Sequence, residues 1–143
     1  GLRAKDKPAE NVSVEETSHF YFAVKPILSY IASASNSRAS VVLSAYASHN
    51  FIEILNGMLD ADPSDVFHMA AQMVEASQKS GYQFDSLAVR EVVKLVCKAL
   101  ADHKYLFVSE SNLDDLVTIL DVFYQAGWPE AFYLVGRLDQ IFE

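Results

Sequence analysis

Two short patterns in this chain have the residue types and spacing of metal chemistry. Glu16-x-x-His19 and Asp65-x-x-His68 each set a carboxylate three residues before an imidazole, close to one helical turn, so both side chains of a pair share a face. Two such pairs with two further carboxylates build the dimetal centres of ferritin-like bundles. That chemistry makes a small metal-dependent helical-bundle enzyme one reading of the chain. An ordinary role competes for each pair. Asp65 falls in the first turn of a helix that begins at Pro63, where the macrodipole favours negative charge, and Glu16 lies near the start of the first helix. Ferritin-like centres also sit between long helices, whereas the helical segments here are short.

Other chemistries find less material. A nucleophilic centre needs Ser or Cys beside a base in a shaped turn, but the chain has no Gly-x-Ser-x-Gly, and its single cysteine, Cys97, lies among Leu95, Val96 and other apolar neighbours and reads as core. Asp102 and His103 are adjacent, a spacing that does not bring two side chains together on a helix, so charge at a helix end is their expected use. Arg90, Lys94 and Lys98 recur every four residues and form a basic stripe on an acidic chain. The stripe could dock an acidic helix or a phosphate; as an ordinary solvated face it would be offset by Glu91 and by acids such as Asp114 and Asp115. Aromatic residues gather around the last turn at Phe123, Tyr124, Trp128, Phe132 and Tyr133. Hairpin packing accounts for most of them, and Trp and Tyr are also common interface anchors.

The elements that must position these groups are punctuated by helix-start signals at Asn50, Asp62-Pro63, Asp85, Ser111 and Trp128-Pro129. Between Val14 and Ser35 the series Phe20, Tyr21, Val24, Ile27, Leu28 and Ile31 has helical spacing, with Phe22 widening the stripe and a break expected at Pro26. Seven serines from Ser29 to Ser48 interleave with alanines, Asn36-Ser37 reads as a turn, and a helix is expected over about Arg38 to Ser48. Asn50 with Glu53 resembles a capping box that starts a helix through Phe51, Ile54, Leu55, Met58 and Leu59. Gly57 weakens that helix by roughly 1 kcal/mol relative to Ala unless close packing demands it.

Asp62 is expected to cap a helix with Pro63 at its first position, running through Val66, Phe67, Met69, Ala70, Met73 and Val74 to Ser80-Gly81. Asp85 caps a longer one through Val92, Val96 and Leu100 toward Tyr105, where length and period outweigh the β-branched content. Ser111 starts a helix over Leu113 to Ala126 that Gly127 ends, and Trp128-Pro129 opens a last helix through Phe132, Leu134, Val135, Leu138, Ile141 and Phe142. Pairing them as Arg38 to Ala61, Pro63 to Phe107 and Ser111 to Glu143 gives units of roughly 25 to 45 residues, a length compatible with HEAT-like solenoid repeats.

Composition bounds the rest. With 143 residues the chain is one ordinary domain that can bury roughly 70% of its unfolded surface. A hydrophobic fraction of 51% with 21% charged residues is that of a folded globule. The net charge of −8 and a pI near 4.9 oppose any sequence-independent hold on nucleic acid, which depends on cations displacing counterions. No run approaches the ~18 apolar residues of a membrane span, and the lone cysteine fits a reducing, cytoplasmic setting. Residues 1–13 mix Lys, Asp, Glu, Pro and Ala, and read as a flexible linker or an appended end; residues 14–143 read as a single all-helical domain. The chain then reads as a piece of a larger protein.

In the C-terminal part, Tyr82-Gln83-Phe84-Asp85-Ser86-Leu87-Ala88-Val89, Leu100-Ala101-Asp102-His103 and Ala126-Gly127-Trp128-Pro129-Glu130-Ala131 resemble segments of the helical-repeat tails of large bacterial nucleoside-triphosphatases of the STAND type. The resemblance covers about 60 residues and includes no catalytic motif. It implies a HEAT-like tail acting as sensor or scaffold, with phosphate chemistry in a separate domain. This chain has no Gly-x-x-x-x-Gly-Lys-Ser/Thr loop, so nucleotide binding does not carry over.

The expected architecture is all-α, with six or seven helices as antiparallel hairpins in a short HEAT-like α-solenoid or an irregular helical bundle. The expected role is a non-catalytic interaction or scaffold domain, without cofactor, partnered by another protein or by other domains of its parent chain, with no nucleic acid and no membrane. Its candidate interaction residues are Arg90, Lys94, Lys98, Tyr124, Trp128 and Tyr133. A homo-oligomer using the terminal aromatic helix as its interface is a third reading.

Overall fold

Ser13 opens the first helix by accepting the Glu16 N–H on its Oγ at 3.0 Å, which satisfies one of the four donors that every helix start leaves unpaired. The structure, a computed structural model, describes residues 13–36, 45–79 and 84–142. Among them are six α-helices and no strand: α1 (Val14–Ser35), α2 (Ala45–Met58), α3 (Pro63–Lys79), α4 (Ser86–Asp102), α5 (Glu110–Ala126) and α6 (Glu130–Phe142), with a 3₁₀ turn at Lys104–Val108 between α4 and α5. The all-α expectation holds.

Several boundaries differ from those read in the sequence. The break expected at Pro26 is absent and α1 is continuous through it. Proline removes one hydrogen bond, to the carbonyl of Phe22. Phe22 and Pro26 both lie on the exposed side of α1, where water can serve that carbonyl, while Tyr21 before the proline and Leu28 and Ala32 after it are buried. Burial on both sides carries the helix across. Asn50, expected as a cap, lies inside α2. An N-cap needs non-helical backbone, but Ser48, Phe51, Ile52 and Leu55 form one continuous buried helical face that spans residue 50. Most of the segment expected as a separate helix over Arg38 to Ser48 lies outside the described residues, as do residues 1–12, Ser80-Gly81 and Tyr82-Gln83.

Farther along the chain the punctuation holds better. Val66 donates its N–H to the Asp62 carbonyl at 2.9 Å as α3 begins, and the Asp85 carboxylate accepts from Ala88 N–H at 2.8 Å to cap α4. α4 ends at Asp102 instead of running to Tyr105. The cap of α5 is Ser109, not Ser111: its Oγ accepts from Asn112 N–H at 3.3 Å. Gly127 ends α5 at φ 75°, and the Gly127 and Trp128 N–H groups bond back to the Tyr124 and Phe123 carbonyls. That is a Schellman motif, completed by the hydrophobic contact it calls for: the Trp128 and Phe123 rings meet edge-on at 5.1 Å.

The helices pack in two rows. α3 lies between α1 and α5, α4 lies between α2 and α6, and the strongest contacts run along these rows between helices two apart in sequence. α1 packs chiefly on α3 and only lightly on α2, and the start of the hairpin that sequence spacing placed within Arg38 to Ala61 lies outside the described residues. α3 is the centre of the assembly and buries the larger part of its circumference, at Val66, Phe67, Met69, Ala70, Ala71, Met73, Val74, Ala76 and Ser77, leaving a polar stripe of Asp65, His68, Gln72, Glu75 and Lys79. Its alanines let neighbours approach closely, and Phe67 meets Phe107 edge-on at 5.2 Å.

At the ends of the rows, faces stay open among the described residues. On α1 these include Phe20, Phe22, Ile27 and Tyr30; on α5 and α6 they include Val117, Tyr124, Phe132, Val135 and Phe142. Val135 and Phe142, in the apolar series of the last helix, are 50% and 48% exposed. No helix among the described residues is long and apolar enough to cross a membrane.

Phe67→Ala is expected to cost about 3–5 kcal/mol in urea unfolding, because Phe67 is fully buried in the central helix. Two of the described glycines, Gly57 and Gly127, should respond oppositely to alanine. A Cβ at Gly57 would meet nothing within 4 Å, so no close packing demands glycine there, and Gly57→Ala should stabilise by about 0.5–1 kcal/mol. Gly127 has the same open space but a left-handed backbone, so Gly127→Ala should destabilise by about 1–2 kcal/mol. Equal shifts at both sites would contradict the backbone assignment.

Candidate functional site

Of the two carboxylate–imidazole pairs, the one on α3 comes apart in the fold. Asp65 turns to Lys25 on α1, whose Nζ donates to Asp65 at 2.6 Å and to Asp62 at 2.9 Å. His68 turns the other way, toward α5, where its Nδ1 lies 2.9 Å from Asp115 Oδ1. His19 and Glu16 are exposed on α1. Among the described residues no group of three or more His, Cys, Asp or Glu side chains converges as a metal site would. The helices are bridged instead by polar pairs.

The first bridge joins α1 to the start of α3. The buried Tyr21 hydroxyl donates to Asp62 at 2.9 Å. Burial, then that hydrogen bond, pushes the Tyr21 phenol well above the ordinary tyrosine range. Hydrogen bonds to Asp65 and then Asp62 raise the Lys25 ammonium above its usual value.

The second bridge joins α3 to α5. Ser64 Oγ donates to Asn112 Oδ1 at 2.7 Å, and Asn112 Nδ2 donates to the Ser64 carbonyl at 3.1 Å and to Asp115 Oδ2 at 3.2 Å. The buried Asp115 accepts from His68 in turn, which fixes the proton on Nδ1 and leaves Nε2 toward solvent. This Asp–His pair has the orientation of a catalytic dyad, but the nearby Ser64 hydroxyl is spent on Asn112, and no hydroxyl or thiol among the described residues is hydrogen-bonded to Nε2. Its work is to satisfy polar atoms between two packed helices. Asp115 thus faces α3, not the basic stripe it was expected to offset.

Two further bridges absorb most of that stripe. Asn56 on α2 donates to both the carbonyl and the carboxylate of the buried Glu91, which also holds Lys94 at 3.2 Å. Lys98 lies 3.4 Å from Asp60. Asp60 also accepts from His103 Nε2 at 2.8 Å, and this contact first, then Lys98, holds its carboxyl below the usual range. His103 therefore ties α4 to the α2–α3 turn, beyond its expected charge at the helix end; its backbone N–H also closes α4 on Ala99. Arg90 remains exposed. Cys97 is free and half-buried against the core.

The aromatic candidates divide. Trp128 is half-buried between Phe123 and Phe84, whose ring stacks on it at 6.3 Å, so it serves the turn. Tyr133 is exposed on α6, outside the groove that Tyr124 enters. That groove runs along the α5–α6 hairpin. One hollow of about 330 Å³ is lined by Val117, Leu120, Asp121, Tyr124, Ala131, Phe132 and Val135. A second, of about 320 Å³, is lined by Phe107, Leu113, Leu116, Val117, Leu120, Leu138 and Phe142. Val117 and Leu120 belong to both, so the two form one apolar trough along α5. Leu113 faces Phe142 at one end and Tyr124 faces Phe132 at the other, as an antiparallel hairpin requires.

Of the residues that line the trough, the sequence singles out Tyr124 and Phe132 in its aromatic cluster, but not the trough itself. Its residues have the same helical spacing as core, and among the described residues no helix packs over them. Phe132, at 76% exposed, is the most exposed of them. No family model, curated protein or solved structure matches this chain.

Asp115→Ala is expected to lower stability by about 1–3 kcal/mol, because it strips the buried Asn112 amide of an acceptor. His68→Ala, which removes a half-exposed partner, should cost less. Tyr21 also carries a pH signature. Its phenol is neutral in both states below about 10, the ordinary tyrosine value. Above that pH only the unfolded chain ionises it, so stability falls as pH rises toward the higher folded value. Tyr21→Phe should flatten the decline in thermal midpoint between about pH 9 and 11; an unchanged slope would remove the buried phenol–carboxylate contact from the account.

Proposed function

We propose that this chain is a non-catalytic helical interaction or scaffold module, the helical-repeat part of a larger bacterial cytoplasmic protein, and that the α5–α6 trough is its docking surface. The trough carries the reading. Singly exposed apolar side chains are ordinary on protein surfaces, but Leu113, Val117, Tyr124, Phe132, Val135 and Phe142 are each between 44% and 76% exposed and border one concavity. Contiguous apolar surface of this kind marks contact sites. Packing in rows between helices two apart in sequence would suit a helical-repeat protein, in which each helix contacts its counterparts in adjoining repeats and concave surfaces bind partners. The polar clusters support the same reading, because each spends its donors and acceptors on holding helices together. Asp65 and His68, turned to different partners, lend the ferritin-like alternative no support.

Val117→Ser with Phe132→Ser tests the proposal, since both side chains are exposed and neither is needed for the core. In gently prepared extract of the source cell, followed with an antibody to this chain, the native species should elute well above the mass of its denatured band. The double variant should elute at that mass. Elution at the denatured mass for both proteins would refute a docking role.

A further inference from the structure

The trough has a charge pattern as well as an apolar floor. Along α5, Asp121 lines it directly, Asp114 lies seven residues earlier on the same stripe, and Glu110 lies seven before Val117. On α6, Asp139 lies between the lining residues Val135 and Phe142 at spacings of four and three. Helical spacing therefore places acids along both edges. All four are exposed, and among the described residues none has an ion-pair partner. This sets them apart from Asp60, Asp62, Asp65, Glu91 and Asp115, each of which is engaged by Lys or His. Lys104, beside the far end of the trough, is spent on the C-terminus of α6, donating to the Ile141 carbonyl at 2.9 Å with its ammonium 5.0 Å from the Phe142 ring centre.

We infer that the occupant of this trough is a basic amphipathic helix of a partner protein, with apolar residues at i, i+3 or i+4 and i+7 on one face and Lys or Arg on both flanks. This rests on the reading of the trough as a docking surface and adds the chemistry of its partner. The floor between Leu113 and Tyr124 rises about 17 Å along α5, room for about three turns of helix. An apolar stripe seated in an apolar groove is the usual mode of helix recognition, and acids on both rims select cationic flanks and speed the encounter. A second copy of this chain fits poorly. Two troughs facing each other across a two-fold axis would oppose four acids to four, on chains that each carry −8.

The test uses three labelled synthetic peptides of about 14 residues, enough to span the trough. One has a leucine stripe flanked by lysines, the second has the same leucines flanked by glutamates, and the third keeps the lysines but replaces leucine with serine. Fluorescence anisotropy against the full chain should show the Lys–Leu peptide binding at least about tenfold more tightly than either of the others. Val117→Ser with Phe132→Ser should weaken that binding by about tenfold or more. Asp114→Lys with Asp121→Lys should shift preference toward the Glu–Leu peptide. Raising salt from about 50 to 500 mM should weaken the Lys–Leu complex, because the rim charges are exposed.

Equal binding of the Lys–Leu and Glu–Leu peptides, or binding by the Lys–Leu peptide that the groove variants leave intact, would overturn the inference. A concentration-dependent dimer in light scattering that Val117→Ser with Phe132→Ser abolishes would place a second copy in the trough; it would overturn the basic-helix assignment while leaving the docking role standing. If none of the peptides binds and the native protein also elutes at its denatured mass, both fall together.

Discussion

Everything in this fold depends on α3 burying the larger part of its circumference between neighbours. Such a helix cannot be covered by a single hairpin, so the chain must bring α1 and α5 to its two flanks and lay α2 and α4 across it. The contribution per residue is large because Val66, Phe67, Ala70 and Val74 are completely removed from water. The two-row arrangement follows from that requirement. Once α1, α3 and α5 are side by side, the helices between them in sequence are left to form the second row.

The same constraint explains where the polar groups went. Helices packed closely in rows bury at least one member of each polar pair wholly or in part at their edges, and its polar atoms must find partners or bear the cost of desolvation. Lys25 with Asp62 and Asp65, His68 with Asp115, Asn56 with Glu91, and His103 with Asp60 are four solutions, each joining residues at least 35 positions apart. They resemble catalytic or metal-binding sets because both kinds of site draw on the same residue types. What separates them here is saturation: Asp115 and Asn112 satisfy each other and their neighbours, and Ser64 has no proton to offer His68. The rim acids of the α5–α6 trough are the reverse case, exposed and without an ion-pair partner among the described residues, beside apolar side chains that no described helix covers.

Local chemistry along the chain determined much of the architecture. Asp85 capping α4, Pro63 starting α3 and Gly127 ending α5 were legible because each acts on backbone groups within a few residues. All-helical character was legible in the spacing of apolar residues, and the absence of nucleophile and nucleotide motifs in the residues themselves. Tertiary packing decided what those local rules left open. It carried α1 through Pro26 and α2 through Asn50, because buried faces continue across both positions, and it split Asp65 from His68 by giving each a nearer partner. It also decided which apolar stripes became core. Leu134 and Val135 are adjacent on α6, yet one is fully buried and the other half exposed. An apolar stripe records only that a face seeks cover, and the row of helices determines whether the chain itself supplies it.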